Sequence, residues 1–346
     1  MKIAVIGPTL NTYYGIEEIA KHHDVKALFT LPINNGLNKA RYTTFEDQAN
    51  KYGFDIFYEE HNLRDEQVIK KFKDLDLDLI IELGSSKIIP AEIIESAKYG
   101  CIGSHGAKLP YIRGGASMNW ALINGEEEWG VSIYYLTPGV DAGILIATKD
   151  FKIEYRDDIN SVHDKSDLAT SMMLSDFLKN FKPKNEIPKQ DSLDVIKLNP
   201  SPKEYTWETI ANWNREIKNK YKEFKCSGKA IFLPQRKLQD GFIDWNSDSL
   251  DVYNFIRAQT SPSFPGAFTL YKNKKLFVYK ASIERGYYNI NNEPGQVISV
   301  DKNGILTKTL NGNITIERLK LEDMPEMWAD DFFHECNLEI GDIFGK

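Results

Sequence analysis

The first hundred residues alternate short apolar runs with segments of helical periodicity, and that alternation leaves few folds open. Lys2–Gly7 (KIAVIG), Asp24–Phe29 (DVKALF), Asp78–Leu83 (DLIIEL) and Tyr99–Gly103 have the texture of strands buried on both faces of a parallel sheet. Between them, Ile16–His22, Thr44–Tyr52, Asp65–Lys73 and Ala91–Ala97 carry the spacing of helices, with a further short strand at Asp55–Tyr58. Strands that alternate with helices build βαβ units. The expectation is a doubly wound, Rossmann-like α/β domain whose chemistry sits at the carboxyl edge of its sheet. Gly7 and Gly15 do not make a GxGxxG fingerprint, and no Lys-Ser/Thr pair closes a phosphate loop at this turn, so neither dinucleotide nor triphosphate binding is expected there.

The second half reads differently. Phe268–Leu270, Lys275–Ala281, Gly295–Val300, Gly304–Thr309 and Asn313–Leu319 are short alternating runs punctuated by Asn-Gly, Asn-Lys and Pro-Gly, the pattern of a small OB-like β-barrel. With 346 residues two domains are expected: 1–199 carrying the chemistry, 200–245 as a partly helical connection, and 246–346 as the barrel. Lys182–Asn199 reads as connecting chain, and the cations from Arg215 to Lys229 as a solvated helix face. A net charge of -7 disfavours a partner held mainly through phosphates, such as tRNA. Three widely spaced cysteines without a CxxC pair point to neither disulfides nor zinc. The opening MKIAVIGP reads as a strand rather than a signal peptide, and no run of 18 apolar residues suggests a membrane span, so a cytoplasmic protein is expected.

The stretch from Cys101 to Asp150 concentrates the chemistry-bearing residues. His105 follows the fourth strand and is trailed by Leu109-Pro110 and Arg113-Gly114. An apolar helix around Trp120 comes next, then an alternating run from Val131 to Leu136 and the turn Pro138-Gly139-Val140-Asp141-Ala142-Gly143. A histidine at one strand end and an aspartate in a Gly-bounded turn after the next lie where α/β proteins keep their sites. A neutral imidazole suits abstraction of a proton near neutral pH, and a carboxylate beside it orients the ring and raises its basicity. Gly84-Ser85-Ser86-Lys87-Ile88, after the DLIIEL strand, is a turn of small residues able to present main-chain groups to a planar ligand.

These residues resemble the formyltransferases that use N10-formyltetrahydrofolate, among them methionyl-tRNA formyltransferase and relatives that act on sugar nucleotides. The family pattern Asn-x-His-x-Ser-Leu-Leu-Pro-x-x-Arg-Gly, then Trp-Ala, then Asp-x-Gly, stands here as Gly103-Ser104-His105-Gly106-Ala107-Lys108-Leu109-Pro110-Tyr111-Ile112-Arg113-Gly114, Trp120-Ala121 and Asp141-Ala142-Gly143. It extends to Pro234-Gln235-Arg236, Ile243-Asp244-Trp245, Ile256-Arg257-Ala258, Ser263–Thr269 and Glu293–Ile298. The resemblance implies His105 and Asp141 as catalytic residues. It implies N10-formyltetrahydrofolate as donor against Leu83, Ser85, Ser86, Ile88, Gly139, Val140 and Asp141, with Gly103, Lys108, Tyr111 and Arg113 toward the substrate, and no metal.

One departure stands out. Where the family carries Asn, whose amide is understood to hold the formyl oxygen as it gains negative charge, this chain has Gly103. Losing such a donor typically costs about 100- to 1000-fold in rate. Ser104 should point to the opposite side of an extended chain. A doubly protonated His105, a water in the space Gly103 leaves, or a main-chain amide are the available replacements, and restoring Asn at 103 is expected to raise the rate if a formylfolate donor meets a weakened site. Alternatively, the room left by Gly103 admits a different acyl donor, or the chain is an inactive binding homologue. The segment Leu31–Arg41, counterpart of the loop with which the tRNA enzyme is understood to grip its substrate, holds two cations, Lys39 and Arg41. That argues for a small acceptor, an amino-sugar nucleotide in glycan biosynthesis, over methionyl-tRNA, with Tyr111, Trp129 or Trp245 available for stacking. A homodimer is compatible with this reading.

Overall fold

The computed structural model describes residues 1–37, 39–85, 87–182, 194–203, 205–262, 264, 266–283 and 291–345. The chain forms two compact units, one of Met1–Gly114, Glu128–Lys152 and His163–Val195, the other of Gly115–Glu127, Ile153–Val162 and Ile196–Lys346.

In the first unit the strands are β1 (Lys2–Ile6), β2 (Asp24–Phe29), β3 (Asp55–Phe57), β4 (Leu79–Glu82), β5 (Cys101–His105), the short β6 (Ile112–Gly114), β7 (Glu128–Tyr135) and β8 (Ile144–Lys152). A seven-stranded sheet runs in the order β3-β2-β1-β4-β5-β7-β8. The first five are parallel neighbours, with β1 at the point where the strand order reverses. β7 and β8 are antiparallel additions, so the sheet is mixed where the sequence pattern suggested a parallel one. The pattern does not mark β8, which alternates only loosely between half-buried and exposed.

The alternation along β1 shows how the layers form. Ile3 and Val5 pack with Ile16, Leu28, Ile81, Ile102 and Leu174 on one face, while Ala4 and Ile6 pack with Phe29, Phe72, Ile80, Ile93 and Cys101 on the other. Helix α1 (Leu10–Ala20) covers the first face and begins earlier than its apolar spacing suggests, with Thr9 at its N-cap donating its N–H to the Thr12 hydroxyl at 3.3 Å. By the same alternation, Glu82, Gly103 and His105 project from the face that carries Ile80 and Cys101.

The second unit contains an antiparallel sheet of Ala267–Tyr271, Lys274–Ile283, Asn313–Leu321, Gly304–Lys308 and Val297–Asp301 in that order, with Met327–Trp328 added to Asn313–Leu321. Arg236 is buried in this unit with its guanidinium over Trp120, Trp213 and Phe255, and burial lowers its pKa to about 10. The cation-rich helix Trp207–Lys225 spends its charges on local ion pairs, including Arg215–Asp244, Lys218–Asp251 and Lys225–Glu126. Among the described residues, no helix is long and apolar enough to cross a membrane.

Candidate active site

β5 ends on His105, so the imidazole is held by sheet pairing rather than by a loop; it lies opposite Ser132 of β7. Its Nε2 is 3.1 Å from the Ile112 carbonyl oxygen. A carbonyl can only accept, so Nε2 carries the hydrogen and, in the neutral ring, Nδ1 keeps its lone pair. Nδ1 lies 3.5 Å from Asp141 Oδ1, and both side chains are about nine-tenths buried. Burial lowers the His105 pKa below its ordinary 6.5, against the opposing pull of Asp141. The direction of that shift favours the neutral ring and disfavours a doubly protonated His105 as the substitute for the missing Asn.

Asp141 is fixed from three directions. Its Oδ2 accepts from the Gly114 N–H at 2.7 Å, and its Oδ1 accepts from the Tyr134 hydroxyl at 3.2 Å while facing His105. The residue itself has φ +50°, a conformation that non-glycine residues seldom adopt and that tends to persist at functional sites. The need for glycine two residues on is steric: a Cβ on Gly143 would stand 1.5 Å from the Tyr135 carbonyl oxygen. A neutral imidazole beside a fixed carboxylate can take up a proton and have the resulting charge balanced by that carboxylate.

The space beside Gly103 is not empty. A Cβ built there would lie 2.5 Å from Leu136 Cδ1 and 2.9 Å from Glu82 Oε2. This corrects the expectation that Gly103 leaves room for a water or a larger donor: a carboxyl group from the neighbouring strand occupies that side. Glu82 pairs with Gly103 in the β4–β5 register, is buried, and has its pKa raised to about 8, first by desolvation. Its Oε1 accepts from the Ser85 N–H at 2.6 Å, while the Ser85 hydroxyl donates to Glu60. Sequence reasoning passed over Glu82 as one residue of a buried strand. The available signal was a lone carboxylate inside the apolar run DLIIEL, immediately before a Gly-Ser turn.

The other expected site residues lie in several environments. Ile88 and Gly139 line one cavity of about 400 Å³ with Arg64, Ile69, Pro90 and Pro138. Ile88 and Val140 are exposed apolar side chains, and Tyr111 is exposed too. Leu83 is buried, with its N–H bonded to Ile6 and its carbonyl accepting from Thr12, and Ser86 lies outside the described residues. Arg113 donates from Nε to the Pro110 carbonyl. Lys108 pairs with Asp150 at 2.8 Å and Glu128 at 3.1 Å, two carboxylates that already balance its charge. Trp129 and Trp245 are buried, with their indole N–H groups donating to Gly106 and Thr269, so neither is open for stacking. Ser104 takes a hydrogen bond from Asn11 of α1, on the face opposite His105, as the strand alternation requires.

The two cations after β2 are committed within the unit. Arg41 holds Asp164 and Asp167 at 2.8 and 2.7 Å, and desolvation lowers the Lys39 pKa while Glu60 and Glu82 pull it back up.

Comparison with known proteins agrees with this architecture. Residues 1–178 match the model of the formyl transferase family, and residues 236–337 match that of the formyl transferase C-terminal domain. A methionyl-tRNA formyltransferase of Fusobacterium nucleatum is 28% identical over 347 residues, covering 99% of this chain and 99% of its own. Among solved structures, HypX from Aquifex aeolicus in complex with tetrahydrofolic acid aligns with TM-score 0.60 and 16% identity over 98% of this chain, which spans about half of HypX (48%). An N-formyltransferase from Helicobacter canadensis, in complex with folinic acid and dTDP-3-aminofucose, aligns with TM-score 0.54 and 14% identity over 91% of this chain and 98% of its own. These two share the fold. With that family model matched over more than half of its residues, the chain belongs to the formyl transferase family.

Proposed function

We propose that this chain moves a formyl group from N10-formyltetrahydrofolate to the amine of an amino-sugar nucleotide, with His105 and Asp141 handling the proton. The observation that carries the reading is the buried pair itself, Nδ1 and Oδ1 3.5 Å apart, with His105 neutral and its lone pair toward the carboxylate. When bound, N10-formyltetrahydrofolate supplies an activated formyl carbon. His105 takes the proton that the attacking amine loses, and Asp141 steadies the imidazolium that results. One carbon–nitrogen bond forms to the acceptor, the bond to the donor nitrogen breaks, and one proton returns to that nitrogen, so no oxidant or reductant is needed. The cavity between Ile88 and Gly139 offers apolar walls to a donor of aromatic character, and its charged lining is Arg64 and Glu92.

The small acceptor is supported by the charges. Lys39 and Arg41, the cations of the segment that would meet a tRNA, face internal carboxylates, and the net charge is -7. Methionyl-tRNA is the second reading, favoured by the full-length similarity to enzymes so named. The test is a competition: purified protein with N10-formyltetrahydrofolate is offered dTDP-3-aminofucose and methionyl-tRNA separately, and formylated products are identified by mass. Formylation of tRNA alone would sink the sugar reading.

A further inference from the structure

Resting on the formyl-transfer reading, we propose that Glu82, as a neutral carboxylic acid, donates through Oε2 the hydrogen bond to the formyl oxygen that Asn supplies in the family pattern.

The geometry makes the exchange one of position. Glu82 and Gly103 are paired residues on adjacent parallel strands, and both project from the sheet face that carries His105. Oε2 reaches to 2.9 Å from the point where a residue-103 Cβ would stand, so the end of one side chain fills the place where the other would begin. Gly103 and His105 are two apart on the strand, roughly 7 Å, which sets that place beside the imidazole. A glycine at 103 is what admits the carboxyl group.

The hydrogen bonds say which oxygen bears the proton. Oε1 already accepts from the Ser85 N–H at 2.6 Å, so a proton on the group belongs on Oε2. A burial-raised pKa of about 8 keeps the acid neutral at pH 7. The charged and titratable groups facing it are Lys39 after β2, Glu60 after β3, Asp141 after β7, Cys101 of β5 and Tyr134 of β7. Lys39 favours the ionised form, while Asp141 and Glu60 oppose it. Ionised, the same oxygen would repel the charge that develops on the formyl oxygen. Neutral, it donates to that charge, a bond strengthened by the low-dielectric surroundings. The bond and proton balance is that of the transfer itself; Glu82 donates a hydrogen bond and keeps its proton.

The experiment compares wild type, Glu82→Gln and Glu82→Ala. Tetrahydrofolate release from N10-formyltetrahydrofolate with dTDP-3-aminofucose is followed from pH 6 to 10, and 5-formyltetrahydrofolate binding is titrated in parallel. Glu82→Ala is expected to lose about 100- to 1000-fold in kcat with less than about tenfold change in donor-analogue affinity. Glu82→Gln, which keeps both a donor and an acceptor for Ser85, should stay within about tenfold of wild type and lose the fall in rate expected of wild type above about pH 8. Wild-type rate in Glu82→Ala, an equal loss of affinity and rate, or an unchanged alkaline fall in Glu82→Gln would each overturn the assignment. Infrared difference spectra of wild type against Glu82→Gln at pH 7 decide independently of turnover: a carboxylic-acid carbonyl band supports the neutral donor, and its absence overturns it. Failure of wild type to bind 5-formyltetrahydrofolate would instead strike the donor reading, with the infrared result still deciding the state of Glu82.

Discussion

Replacing Gly103 by Asn restores the residue of the family pattern, and the structure reverses the sign expected from sequence. An added Cβ would press on Leu136 Cδ1 at 2.5 Å and Glu82 Oε2 at 2.9 Å. Leu136 can swing aside, because the crowded atom is the far end of its side chain. Glu82 is tethered by the Ser85 N–H at 2.6 Å and has less freedom to retreat. Overpacking of this kind costs about 1–3 kcal/mol and would displace the proposed donor, so Gly103→Asn alone should lower both stability and turnover. Glu82→Ala removes the obstruction and also the donor, at about 3–4 kcal/mol of transition-state stabilisation. In the double variant the Asn amide enters the vacated space, and the rate should recover at least about tenfold over Glu82→Ala, about 1.4 kcal/mol, so the coupling between the two positions exceeds that figure by whatever Gly103→Asn costs alone. The assay is tetrahydrofolate release at saturating donor for all four proteins, with urea denaturation of each for stability. Additive effects on rate, or a faster Gly103→Asn single variant, would refute the reasoning.

His105→Ala and Asp141→Asn should abolish transfer while circular dichroism shows retained folding; substantial turnover in either variant would remove the proposed proton relay. Because burial lowers the His105 pKa, the acid limb of the rate profile should lie below pH 6.5, which a pH series of kcat would show. Glu82 binds its proton more tightly folded than unfolded, so its contribution to stability is complete below about pH 4.5 and is lost as pH rises toward 8. That window corresponds to roughly 5 kcal/mol in order of magnitude, and Glu82→Gln should gain on wild type between pH 5 and 9 in denaturant midpoints. Arg41→Ala should destabilise by about 3–5 kcal/mol, since Asp167 is buried against it, and tRNA affinity should be no lower in that variant than in wild type; a steep loss in a filter-binding assay would reopen the tRNA reading.

The apolar runs of the first hundred residues determined the strand-and-helix order of the site-bearing unit, because a strand buried on both faces has little choice of residue type. The pattern from Gly103 to Gly143 likewise carried His105 and Asp141, since the turns that position them need Gly, Pro and a particular order. Other features depend on contacts that local sequence does not encode. β7 and β8 run antiparallel because β7 turns back against β5, and a buried run such as Val131–Tyr135 looks the same in either direction. Sequence shows Lys39 and Arg41 only as two cations; the fold brings Asp164 and Asp167 to Arg41 and sets Lys39 in the field of Glu60 and Glu82. Sequence alone made Gly103 a gap in the site. Only the register of β4 on β5 sets Glu82, 21 positions earlier in the chain, against it, because pairing between strands rather than nearness in sequence decides which side chain fills a vacant position.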